Sequence, residues 1–66
     1  MFVEFIRNGK PIVINTNEII CIGPREEDNC SYIKMTTADV IIIDWSYENL
    51  RDHLFAIDRL VSDKFL

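Results

Sequence analysis

No stretch of this 66-residue chain approaches the run of about 20 apolar residues that a membrane-spanning helix requires. Nor does a basic segment lead into an apolar core near its start, as in a secretory signal. Cysteine is sparse: Cys21 and Cys30 permit one bridge at most, far from the disulfide framework of a small secreted domain. The expectation is a cytoplasmic chain with reduced, redox-inert thiols and no membrane partner. Basic residues are scarce as well. Seven Lys and Arg stand against eleven Asp and Glu, for a net charge of -4. The seven are scattered, whereas phosphate binding usually draws on a cluster, so no direct nucleic-acid binding is expected.

Soft metal ligands reduce to Cys21, Cys30 and His53, with no second histidine and no C-x-x-C pair. A zinc site takes three or four ligands, usually in close pairs. Glu26, Glu27 and Asp28 lack the alternating spacing of a calcium loop. A Cys30–His53 nucleophile and base would need a pocket and an oxyanion site, and no Gly-rich loop or elbow supplies one. The sequence therefore predicts no metal, no cofactor and no enzymatic activity.

What the chain has in quantity is β-branched bulk. Hydrophobic residues make up 48%, with fifteen Ile plus Val against four Leu, a bias toward sheet. A chain this short forms one domain, residues 1–66, and buries only about 60% of its unfolded surface. Disulfides, metals or oligomerisation usually make up the deficit, and with one bridge at most and no metal expected, oligomerisation is the expectation here.

Asn8-Gly9 between Phe2–Arg7 and Lys10–Ile14 predicts a hairpin, because a type I′ turn needs positive φ at both central residues. A two-residue loop sets Arg7 against Lys10, Phe5 against Ile12 and Val3 against Ile14. Val3, Phe5, Ile12 and Ile14 then form the core face. Phe2, Glu4, Ile6, Pro11, Val13 and Asn15 form the other. Pro11 has no N–H to donate, which marks an edge strand. The two cations at the tip should splay or meet an acid from elsewhere.

Asn15-Thr16-Asn17 reads as a turn and Glu18–Ile22 as a third strand, with Cys21 as core filler between Ile20 and Ile22. Gly23-Pro24 ends it, and 25–29 form a charged loop beside which Cys30 is the more accessible thiol. Cys30–Thr36 predicts a fourth strand with Ser31, Ile33 and Met35 on one face. Thr37-Ala38, lacking glycine, predicts a longer or irregular connection to the next strand. Val40–Ile43, apolar on both faces, reads as the central strand of the sheet.

Ser46 is placed to cap a helix, with Glu48 in its first turn and Asp44 as the other candidate cap. Leu50, Leu54, Ile57 and Val61 fall on one stripe, flanked by Leu60 and Phe65. Asp52, Arg59 and Asp63 lie opposite, and Phe55 falls off the stripe. The fold class expected is α+β: a small antiparallel sheet of four or five strands with one C-terminal helix packed on one face.

The pattern resembles the small flagellum-associated FlbD family on Asn8-Gly9-Lys10, Ile12 to Asn15, Ile19, Ile20 and Ile22, and the run to Ile43 before Tyr47–Leu54. It departs where that family tends to carry a second Asn-Gly, here Thr37-Ala38, in its longer 25–29 loop and in Trp45. The resemblance implies a β-sheet-plus-helix layout, a flagellar setting and no catalytic residues.

The helix stripe can cover only one face of Val40–Ile43. The expectation is a non-catalytic protein-interaction module, a bacterial accessory or regulatory protein that forms a homodimer or docks on another protein. Its candidate interface is Phe2, Ile6, Val13, Ile41, Ile43, Trp45 and Phe55. The alternative functional class is a small acidic inhibitor or nucleic-acid mimic of a mobile-element type. Its charges would come from Glu26, Glu27, Asp28, Asp52, Asp58 and Asp63, interrupted by Arg51 and Arg59.

Overall fold

A computed structural model describes residues 1–57. The fold is α+β, with five antiparallel strands and one helix among these residues. The strands β1 (Phe2–Arg7) and β2 (Lys10–Asn15) form the expected hairpin, with Arg7 opposite Lys10, Phe5 opposite Ile12 and Val3 opposite Ile14. Asn8 and Gly9 have φ of 53° and 73°, so the turn is type I′. Both tip cations are exposed. The acid that reaches the tip is Asp44, which serves the backbone instead: its two carboxylate oxygens accept the Asn8 and Gly9 N–H at 2.9 and 2.8 Å.

A single turn of 3-10 helix, Thr16–Glu18, leads into β3 (Ile19–Pro24). This pairs with β4 (Ser31–Met35), which pairs in turn with β5 (Val40–Ile43). The single sheet expected from the sequence is therefore divided into a two-stranded and a three-stranded sheet. Val40–Ile43 is not the central strand. It is an edge of the order β3-β4-β5, and β4 lies in the middle. A run of β-branched residues specifies a strand but not its neighbours, since its bulk suits any half-covered pleat. Here Ile41 and Ile43 face the core, and the outward Ile42 is half-buried opposite Tyr32. The outward Val40, opposite Lys34, stays 54% exposed.

Cys21 is also corrected: its thiol is exposed. The register shifts between Ile19 and Cys21, so one residue is inserted on β3. Such a bulge breaks the period of two. Ile19, opposite Met35, and Ile22, opposite Ile33, both pack against the core, and Ile20 and Cys21 are left outside. On β4, Ser31, Ile33 and Met35 are buried as expected.

The turn from β4 to β5 is tighter than its composition promised. Ala38 N–H donates to the Met35 carbonyl and Met35 N–H to the Asp39 carbonyl, each at 2.9 Å, with Ala38 at φ 74°. This is a three-residue hairpin whose left-handed position normally takes glycine. An L-residue there costs about 1–2 kcal/mol in backbone strain. Ala38→Gly should therefore raise stability by about 1 kcal/mol, after the greater unfolded-state entropy of glycine is subtracted. For a domain of this size that is a melting temperature roughly 4–8 °C higher, read by circular dichroism.

The helix α1 (Tyr47–Ala56) is capped by Ser46, whose hydroxyl accepts the Asn49 N–H at 3.2 Å. Leu50 and Leu54 are buried and Ile57 packs beside them. Val61, Leu60, Phe65, Asp58, Arg59 and Asp63 lie outside the described residues. The core gathers Val3, Phe5 and Ile14 of the hairpin, Ile33, Met35 and Ile43 of the second sheet, and the two helix leucines. One backbone bond, Asp44 N–H to the Ile6 carbonyl at 3.0 Å, ties the end of β5 to β1. The inner face of the three-stranded sheet is thus covered within the chain by both the hairpin and the helix.

Candidate functional site

The residues singled out in the sequence divide between core and surface. Ile43 is fully buried, so it is a core residue and not part of an interface. Ile41 shares its inner face and packs against the same cluster. The outward pair on β5 is Val40 and Ile42, opposite in phase to the pair named from the sequence. Phe55 is 39% exposed on α1, away from the buried leucines. Phe2 and Val13 are 72% and 63% exposed on the outer face of the hairpin, and Ile6, also on β1, is half-buried. Met1, just before β1, adds more apolar surface.

An open groove of about 500 Å³ runs beside β1, walled by Phe2, Glu4 and Ile6 on one side and by Trp45, His53 and Ile57 on the other. Two of these wall residues, Trp45 and His53, belong to an aromatic cluster. Phe5, Trp45 and His53 form a three-ring cluster with centroids 4.8–5.8 Å apart. The Trp45–His53 and Phe5–His53 pairs meet edge to face, an arrangement that satisfies the ring quadrupoles. His53 Nε2 is buried without a hydrogen-bond partner among the described residues. The main chain of Trp45 is fixed from below: its carbonyl accepts the hydroxyl of the fully buried Ser31 at 2.8 Å. Sequence reasoning found Trp45 but missed its pairing with His53 and the anchoring Ser31, because these contacts join β4, the β5–α1 junction and α1.

Cys30 and His53 sit among different neighbours. His53 lies in the ring cluster, and the Cys30 thiol points to the Asp44 carbonyl at 3.7 Å. Partial burial and the nearby Asp28 carboxylate push the Cys30 thiol above its usual range. Cys30, expected to be the more accessible thiol, is only half exposed, and Cys21 is the exposed one. At neutral pH a soluble alkylating agent should therefore modify Cys21 first. The difference should narrow as pH rises and Cys30 ionises, since the thiolate is the reacting form. Peptide-resolved mass spectrometry of timed labelling checks this; faster labelling of Cys30 at neutral pH would contradict it.

The acidic loop is partly neutralised. Arg25 bridges Glu27 at 3.2 Å and Asp28 at 3.5 Å. The Glu27 carboxyl is held below its usual range by its own backbone N–H and by Arg25. Asp58 and Asp63 of the proposed acidic set lie outside the described residues. Among the described residues no three His, Cys, Asp or Glu side chains converge to hold a metal ion. No helix among them is long and apolar enough to cross a membrane.

No family model matches the chain, and no curated protein or solved structure is significantly similar to it, so the site is read from its own geometry.

Proposed function

We propose that this protein is a non-catalytic interaction module that self-associates through its hairpin sheet. The observation that carries the reading is the outer face of that hairpin, where Phe2 and Val13 stand largely in water around the exposed Glu4, beside Ile6 and the Trp45 groove. Large apolar side chains left exposed on one face mark an interaction site, and aromatic residues are enriched at the centres of such sites. A small domain also gains most from a partner, because so little of its own surface is buried. The flagellum-associated setting implied by the resemblance to FlbD suits an accessory module of this type. Sedimentation equilibrium over a wide concentration range tests the reading. A dimer that dissociates on dilution is expected, and a folded monomer at every concentration would overturn it.

A further inference from the structure

We infer that the partner is a second copy of this chain, added edge to edge along β2 so that the two hairpins become one four-stranded antiparallel sheet. The inference rests on the self-association proposed above and places it at the β2 edge, where Val13 is the exposed outer-face residue it covers.

Backbone phase decides which groups the edge offers. In a two-residue hairpin the residues flanking the turn exchange both hydrogen bonds, so Arg7–Lys10, Phe5–Ile12 and Val3–Ile14 are the bonded pairs. Two observed bonds agree with this phase. Thr16 N–H donates to the Met1 carbonyl at 2.8 Å, the next bonded position along the ladder. The Ile6 carbonyl, at a non-bonded pair, points away from β2 and accepts the Asp44 N–H. By the same alternation Pro11, Val13 and Asn15 turn their backbone groups outward from β2, away from β1. Among the described residues no strand pairs with this edge, and an open edge is a template for another strand, blunted here only where Pro11 lacks its N–H.

The edge is self-complementary about Val13. A two-fold axis there sets Val13 against Val13 of the second copy and Pro11 against its Asn15. The Val13 pair exchanges two bonds. Each Asn15 N–H donates to a Pro11 carbonyl, which adds two more, and the missing proline N–H forgoes one bond at each end. On the outer face the exposed Val13 side chains meet. On the inner face Ile12 of one copy opposes the buried Ile14 of the other, so the two cores become continuous. Charges complement as well. Lys10 of each copy comes alongside the turn that carries Glu18 of the second copy. Glu18 has one carboxylate oxygen engaged by the Thr36 hydroxyl. Within one chain Lys10 begins β2 and Glu18 lies in the 3-10 turn past its far end, roughly 20 Å away at strand rise, and they cannot meet.

Val13→Pro deletes the central donor without touching the β1–β2 ladder, because that N–H points outward. Sedimentation equilibrium, with circular dichroism to confirm folding, should find it monomeric where the parent is a dimer. Lys10→Glu and Glu18→Lys supply a second test that does not depend on how proline is tolerated. Each reversal acts on two symmetry-related pairs and should weaken the dimer about ten-fold. The double variant K10E/E18K should restore it. A monomeric parent protein would remove both this inference and self-association. A dimeric parent with Val13→Pro folded and equally dimeric, or with a charge swap that restores nothing, would leave self-association standing and overturn the β2 edge.

Discussion

Phe5→Ala is expected to leave the protein largely unfolded at physiological temperature. The side chain has no exposed surface and stands where the hairpin, the β5–α1 junction and the helix meet. Its ring contacts Trp45 at 5.8 Å and His53 at 5.6 Å between centroids. Truncating a buried phenylalanine costs about 3–5 kcal/mol, the lost transfer energy plus the cavity left behind. At the usual 0.05–0.15 kcal/mol per residue, a 66-residue domain has only about 3–10 kcal/mol in total. The loss is therefore comparable with the whole. Phe5→Leu keeps most of the volume and should retain a cooperative urea transition at a lower midpoint. Phe5→Ala should show none, or one confined to very low urea. A shift of under about 1 kcal/mol for Phe5→Ala would mean that the three-ring cluster does not hold the two sheets together.

The features legible in the sequence are those fixed by neighbours along the chain. Asn8-Gly9 encodes its turn through the dihedrals both residues must adopt, and the turn then fixes which side chains face inward. Ser46 encodes the helix start through a bond three residues away. The alternation of Ser31, Ile33 and Met35 reads directly as one buried face. The features that could not be read are those fixed by distant partners. Val40–Ile43 carries bulk on both faces whether it is central or marginal, so its place at the edge depends on where β1 and β4 lie. The bulge at Ile19–Cys21 reverses the phase of one strand, and nothing in three consecutive apolar residues signals it. Asp44 was weighed as a helix cap. Its actual role is to hold the hairpin tip, 36 residues away from Asn8. The outward placing of Phe2 and Val13 on the hairpin is legible from the Asn8-Gly9 register. The candidate surface was misread on β5, where the inward pair was taken as outward.

Gly9→Val should lower the melting temperature by roughly 10–20 °C, an estimate from a loss of about 2–3 kcal/mol at 4–8 °C per kcal/mol. Beyond its two chain neighbours, a Cβ at this position would meet no atom of the described residues within 4 Å, so the cost is not a clash with the fold. It is conformational. At φ 73° an L-residue pays about 1–2 kcal/mol, and a β-branched one more, because its two γ carbons crowd the backbone. Relief by rotating φ would draw the Gly9 N–H away from the Asp44 carboxylate and give up that bond, worth about 0.5–1.5 kcal/mol or somewhat more to a charged acceptor. Two controls separate backbone strain from simple loss of glycine. Gly9→Asn should be mild, since asparagine tolerates the left-handed region. D-alanine at position 9, accessible by chemical synthesis of so short a chain, has the mirror preference and should match or exceed the parent, because it also restricts the unfolded chain. The expected order of melting temperatures is D-alanine at or above glycine, then asparagine, then L-valine. If L-valine melted with the parent, the turn would not be type I′ in solution, and the pairing of Phe5 with Ile12 that places Phe5 in the core would fall with it.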